Sequence, residues 1–392
     1  MRQYSSFTIV LVLWLAGLCA AAQFAKMAHT IPELRSLYPD AGALLGFLVS
    51  LISLIGALFG LIAGMMVGQF GPRRVLLTGL ALGAILSFVQ SFTLPFSVIL
   101  VTRFIEGASH LAIVVAAPTL IAQHSSDRLR AAAMTLWGTF FGVSFALTAW
   151  LGLPLVAERG INALFMAHAL ITALTLLLVF VTVTANDTRP TGTVSGLFGP
   201  KEIINRHKDA WSSANVAAPA LGWLFYTVTF VSLLAVLPGL MLPDQRAVMA
   251  SVLPVAGIVS SMTMGIFLLR RYNAVQVVKT GFFLAICFSV FLALFPAGPL
   301  VSICLFLALG LVQGASFASI PQLNATATDQ ALANGTLAQA GNIGNLIGTP
   351  FLIMTLNYFG IIAITLVLIV CYSAGIYGHV LLEKRRKANY TN

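Results

Sequence analysis

Long apolar runs alternate with short polar breaks along almost the whole chain. Reading runs against breaks predicts twelve helical spans. The first six lie near 7–25, 41–67, 75–92, 96–123, 132–156 and 162–185. The other six lie near 213–239, 248–269, 276–295, 299–323, 333–357 and 360–382. About 20 apolar residues in a helix cross the ~30 Å hydrocarbon core of a bilayer, so each run is of membrane length. Breaks such as Thr93-Leu94-Pro95 and Pro296-Ala297-Gly298-Pro299 read as tight hairpins. The pattern also repeats: shifted by 203 residues, Gly107 falls on Gly310, Pro118 on Pro321 and Gly138 on Gly341. An all-α integral membrane fold of two pseudo-symmetric six-helix bundles, 1–185 and 213–392, is therefore expected, the organisation of an alternating-access carrier.

The stretch 186–212 between the halves opens with Pro190, Gly192, Gly196, Gly199 and Pro200, a flexible linker composition. Its continuation, Lys201 to Lys208, has the pattern of a short amphipathic helix at the cytoplasmic surface. Within the spans, Gly56, Gly60, Gly64 and Gly68, and again Gly341, Gly344 and Gly348, set smooth stripes on one helix face. Such stripes let a neighbouring helix pack closely and slide.

Composition agrees with a membrane chain: of 392 residues, 59% are hydrophobic and 8% charged, too few charges to cover a soluble domain. The net charge of +10 is informative through its distribution. Arg73, Arg74, Arg128, Arg130, Arg189, Lys201, Arg206, Lys208, Arg270 and Arg271 fall in alternate loops, and Lys384 to Lys387 close the tail. The other loops hold only Lys26, Arg35, Arg159 and Arg246. The positive-inside rule then makes the basic loops and both termini cytoplasmic. Scattered over short loops, these residues form no stripe for nucleic acid. Cleavage of the first run as a signal peptide after Ala20-Ala21-Ala22 would leave eleven spans and mix the basic loops, so the run is read as a span. Cys19, Cys287, Cys304 and Cys371 lie in apolar runs without paired spacing and read as core residues. His29, His110, His124, His168, His207 and His379 show no ligand spacing, and no acid pair lies in a span. No metal, cofactor or enzymatic chemistry is expected.

Candidate chemistry concentrates in the fourth span. Arg103 lies about 12 Å into it, where an unpaired charge costs at least ~2.5–3.5 kcal/mol. Glu106, three residues on, shares its face, and His110 follows another four residues later. Two readings stay open here. One is a proton relay in which protonating Glu106, with His110 nearby, frees Arg103 for an anionic substrate; the other is a structural ion pair. The matching positions of the second half, Phe306, Leu309 and Gln313, are uncharged. That half offers Gln339, Asn342 and Asn345 for neutral contacts to substrate, or for bonds between helices. Lys26 to Thr30 reads as a solvated outer loop, with the mouth of the cavity as the alternative. Trp137, Trp150 and Trp223 read as interfacial anchors, and Lys279 as a snorkelling lysine.

Two segments carry a family resemblance. Gly64-Met65-Met66-Val67-Gly68-Gln69-Phe70-Gly71-Pro72-Arg73-Arg74 resembles the loop signature of the major facilitator superfamily, matching it at Gly64, Gly71, Arg73 and Arg74. Gly68 and Gln69 stand where that signature has Asp and Arg, which in the family latch the cytoplasmic side. Ile99 to Gly107 resembles the fourth-helix motif, an intramembrane Arg followed four residues later by Gly. Trp137-Gly138-Thr139-Phe140-Phe141-Gly142-Val143-Ser144 lacks the Gly-Pro core of the family's drug–proton antiporters and resembles its cyanate-permease-like branch. The resemblance implies a monomeric secondary transporter of the cytoplasmic (inner) membrane, with a small-molecule substrate and protons as coupling ion. Proton-coupled uptake of a small organic anion leads; export of a neutral or amphipathic compound is the alternative.

Overall fold

A computed structural model describes residues 4–184, 200–295 and 298–391. Arg189 and the expected linker stretch 186–199 lie outside these residues, as do Pro296 and Ala297 of the expected hairpin. Among the described residues eleven helices are long and apolar enough to cross a membrane, and the last of them is two spans. That helix, α16 (Ala327–Thr391), has 65 residues and would be about 98 Å long if straight, three times a bilayer core. It breaks at Gly360, where φ is 75°, a value glycine adopts without a Cβ clash. Twelve spans result.

The first half comprises α1 (Ser6–Ala28), a short α2 (Ile31–Leu37), α3 (Leu45–Phe70), α4 (Pro72–Gln90) and α5 (Phe96–His124). It continues through α6 (Asp127–Gly138), α7 (Phe140–Leu147) and α8 (Leu153–Arg159), which together make the fifth span, to α9 (Ile161–Thr182). Then come α10 (Pro200–Ser212) in the linker, α11 (Ala214–Leu240), α12 (Pro243–Ser260), α13 (Ile266–Leu269), α14 (Ala274–Leu294) and α15 (Pro299–Leu323) before α16. The fifth and eighth spans each contain one wide π turn, Thr148–Gly152 and Ser261–Gly265.

The half-chain repeat has a packing basis. Gly107 on α5 lies against the Ile52 carbonyl of α3, and Gly310 on α15 against the Gly257 carbonyl of α12. In both halves the fourth span thus packs closely on the second at a glycine, and Pro118 and Pro321 lie inside those fourth spans. Gly138 and Gly341 occupy the fifth span of each half with different neighbours, Phe317 across the molecule for the first and Trp223 of the same half for the second.

The glycine stripe of α3 faces α16. Gly56 abuts Asn342, Gly60 abuts Gln339, and Gly64 abuts the Ala331 carbonyl and Gly335, leaving no room for a Cβ. Gly68 has open space instead. The stripe Gly341, Gly344, Gly348 packs on Trp223, Thr227 and Val228 of α11.

Two sequence expectations need correction. Lys26 belongs to α1 and is 1% exposed, and Thr30 is buried too, so this stretch is no solvated loop. Trp137 and Trp223 are buried, at 0% and 8% exposure, while Trp150 is 73% exposed and free to face lipid. Lys279 forms an ion pair with Glu383 at 2.8 Å.

Candidate functional site

A cavity of about 890 Å³ lies between the halves. Its walls are the last turns of α1 and α11, the first turns of α3 and residues 345–353 of α16, with side chains from α2, α7 and α12, so it opens on the face where α1 ends. The opposite face carries α10 and is closed by the α3–α16 seam. There Gln339 Nε2 donates to the Ala57 carbonyl at 3.0 Å, and Gln339 also bonds His207 of α10 at 3.2 Å. Asn334 Nδ2 reaches Thr119 Oγ1 at 3.4 Å, and Gln313 donates to the Gly138 carbonyl.

The ionisable groups on the cavity wall are His29 and Arg35, and no carboxylate is among the described lining residues. His29 stacks edge-on against Phe145, and its Nε2–H donates to the Phe145 carbonyl at 3.2 Å. Burial lowers the imidazole below its ordinary value of 6.5, and this hydrogen bond opposes the shift. His29 is therefore neutral at pH 7, and Arg35 supplies the positive charge.

Behind the wall, inside the first half, lies a buried cluster of charge. Arg103 pairs with Glu106, both fully buried, and its Nε donates to the Leu48 carbonyl of α3 at 2.6 Å. Lys26 arrives from α1 and donates at 2.7 Å to each of three acceptors, Glu106 Oε1, Gln90 Oε1 and Ser87 Oγ. Gln90 Nε2 closes the ring on Glu106 Oε2 at 2.8 Å. Ser87 Oγ–H in turn donates a hydrogen bond to His168 Nδ1 at 2.7 Å, and His168 Nε2–H donates to the Cys19 carbonyl at 2.9 Å. Side chains of α1, α4, α5 and α9 and a carbonyl of α3 thus meet around one carboxylate.

The predicted residues divide accordingly. Arg103 and Glu106 are brought together, but away from the cavity wall. His110 does not join them, since its Nδ1 bonds the Ala20 carbonyl at 3.0 Å and its ring packs on Phe24. Asn342 and Asn345 line a pocket of about 50 Å³ that continues the cavity inward, while Gln339 sits in the seam. Of the signature loop, Gly64 lies in the seam and Gly71, with φ 82°, makes the turn into α4. Arg73 bonds the Phe180 and Val183 carbonyls at the end of α9, where a cation meets the helix dipole, so it acts within the first half. Arg74 is exposed.

Lys26 and His168 were not singled out by sequence. Lys26 follows directly on an apolar run, the position of a loop lysine, and its three partners lie 61 to 80 residues away. A lysine within three residues of a span end, matched to a lone intramembrane acid, is the signal that could have found it.

Comparisons with known proteins agree with this architecture. The human organic anion transporter MFSD10 superposes with a TM-score of 0.77 at 18% identity, over 97% of this chain and 100% of its own. The Escherichia coli fucose:proton symporter FucP gives 0.75 at 16%, over 97% and 99%. The proton:xylose symporter XylE gives 0.72 at 14%, over 97% and 95%. In sequence, the inner membrane transport protein YajR of Escherichia coli (strain K12) is 25% identical over 193 residues, 47% of this chain. The match spans only 42% of YajR. The family model of the Major Facilitator Superfamily matches residues 13–349. Twelve spans in two related halves around a central cavity, with that match, make the chain a member of the Major Facilitator Superfamily of transporters.

Proposed function

We propose that the chain is a proton-coupled carrier that takes up a small organic anion across a cytoplasmic (inner) membrane, working as a monomer. The observation that carries this reading is the buried Lys26–Glu106–Arg103 cluster beside a cavity whose wall holds Arg35. Two cations and one carboxylate leave one positive charge in excess. Arg103 keeps its proton at any accessible pH, so Lys26 is the member that gives one up. An anion in the cavity and the excess charge on the cluster stabilise each other across a medium of low dielectric. By linkage the anion then favours protonated Lys26, and protonated Lys26 favours the anion, so the two travel together. The bundles 1–185 and 213–392 rock about the cavity, joined by the linker 186–212. The positive-inside rule puts the linker and both termini in the cytoplasm. FucP and XylE, described as proton symporters, and MFSD10, described as an organic anion transporter, share the fold, and the name of YajR supports the inner membrane.

The test is uptake of organic anions into proteoliposomes under an inward proton gradient. Lys26→Met is expected to lose the acceleration by the gradient while retaining anion counterflow. Gradient dependence that survives in Lys26→Met overturns the assignment. The mostly apolar cavity wall favours a second reading, export of a neutral or amphipathic compound. Thermal stabilisation by neutral compounds alone would move the protein there.

A further inference from the structure

Arg35 and His29 sit at the mouth of the cavity; its floor has different chemistry. Trp137, Phe140 and Phe141 come to it from the first half, and Trp223, Tyr226 and Phe317 from the second. Trp137 stacks on Phe140 with centroids 4.7 Å apart, and Trp223 stacks on Tyr226 at 4.7 Å with Phe317 edge-on at 4.7 Å. The track of rings continues outward, since Phe141 stacks on Phe145 at 4.9 Å and Phe145 meets His29. Between the two walls lies the inner pocket, continuous with the main cavity through Phe141, Val231 and Asn345.

Polar atoms at this floor are left unpaired. Trp137 Nε1 and Tyr226 Oη are buried without a hydrogen-bond partner, and so are Asn342 Oδ1 and Asn345 Oδ1. Trp137 and Tyr226 are at most 2% exposed. Buried donors and acceptors are ordinarily satisfied, and these four unpaired atoms belong to residues that line one pocket, so a ligand entering between the walls has groups there to complete. Flat aromatic faces from two sides accept another ring in stacked or edge-on geometry. A cation could also use such faces, but Arg35 guards the entrance and no carboxylate is among the described lining residues to receive one.

We propose that the floor binds an aromatic ring of the substrate between the two halves, so that the transported solute is an aryl or heteroaryl anion. The ring lies among Trp137, Trp223 and Tyr226, its polar substituent meets the indole N–H or the phenol O–H, and its anionic group points outward to Arg35. The inference rests on the organic-anion reading for the charge and on the floor alone for the ring.

Three probes separate the two: 2-naphthoate, its saturated counterpart decahydro-2-naphthoate, and the neutral 2-naphthamide. Binding to the purified full chain is read by thermal stabilisation and tryptophan fluorescence. Naphthoate is expected to bind about tenfold tighter than the saturated acid. In Trp223→Leu that ratio should fall towards one, with the saturated acid little affected; if this variant fails to fold, the ratio in the unmodified protein already decides. Naphthoate and naphthamide binding equally, both ahead of the saturated acid, would keep the ring and overturn the anion. Naphthoate and the saturated acid binding equally, both ahead of the amide, would keep the anion and overturn the ring. No response to naphthoate overturns both.

Discussion

Among the described residues Glu106 is the one acidic partner of two buried cations, and that ratio sets what each substitution does. Replacing it, as in Glu106→Gln, leaves Arg103 and Lys26 buried without a counter-charge, a defect on the order of 3–5 kcal/mol. Lys26→Met leaves a neutral Arg103–Glu106 pair and removes three hydrogen bonds, a loss nearer ~1–3 kcal/mol. Thermal unfolding in detergent should rank Glu106→Gln well below Lys26→Met. The deficit of Glu106→Gln should shrink as pH rises, because release of the Lys26 proton removes one of its stranded charges. Equal melting temperatures, or a deficit that grows with pH, would refute this account of the cluster. The pair Arg103–Glu106 was legible in the sequence because both residues lie on one helix face, three apart. Lys26 and His168 were not, because their partners come from other helices, and a spacing rule along one helix carries no information about them.

Among the helices, the seam between α3 and α16 is built from missing side chains. Gly60 lies against the backbone and Cβ of Gln339, and Gly64 against Gly335, so a larger residue at either position forces the two helices apart. Gly68, one turn further along, has no atom of the described residues within 4 Å of where a Cβ would lie. In a background with the four native cysteines replaced, Gly60→Leu is expected to raise alkylation of Thr119→Cys severalfold, whereas Gly68→Leu leaves it unchanged. No change with Gly60→Leu would mean that this contact does not keep the linker face shut. The stripe itself was visible in the sequence as glycines at helical spacing, and so was the loss of the Asp and Arg of the signature at Gly68 and Gln69. Which helix fills the stripe was not visible, since any neighbour satisfies a smooth face. Nor was the role of Arg73, whose partners are backbone carbonyls at the end of α9 and leave no mark in composition.

Across the whole molecule, closure of the linker face depends on neutral groups. Each described ion pair joins residues of the same half, while the named bonds between halves are amide–carbonyl and amide–hydroxyl contacts. Each such bond contributes only about 0.5–1.5 kcal/mol net, so a modest preference of ligand for one state suffices to move the balance between them. Salt should have little influence on that balance, because no ion pair among the described residues crosses the seam to be screened. The state seen here then makes a topological prediction. Ser50 and Thr349 line the cavity and are half-buried, and Asn334 is buried in the seam. With the linker face in the cytoplasm, a membrane-impermeant thiol reagent applied to intact cells should label Ser50→Cys and Thr349→Cys rapidly and spare Asn334→Cys. Raising the salt concentration should leave the pattern unchanged, and a bound anion should slow labelling of the cavity positions. Labelling of Ser50→Cys only in inside-out vesicles would invert the topology, and strong salt dependence would show that charged contacts hold the seam after all.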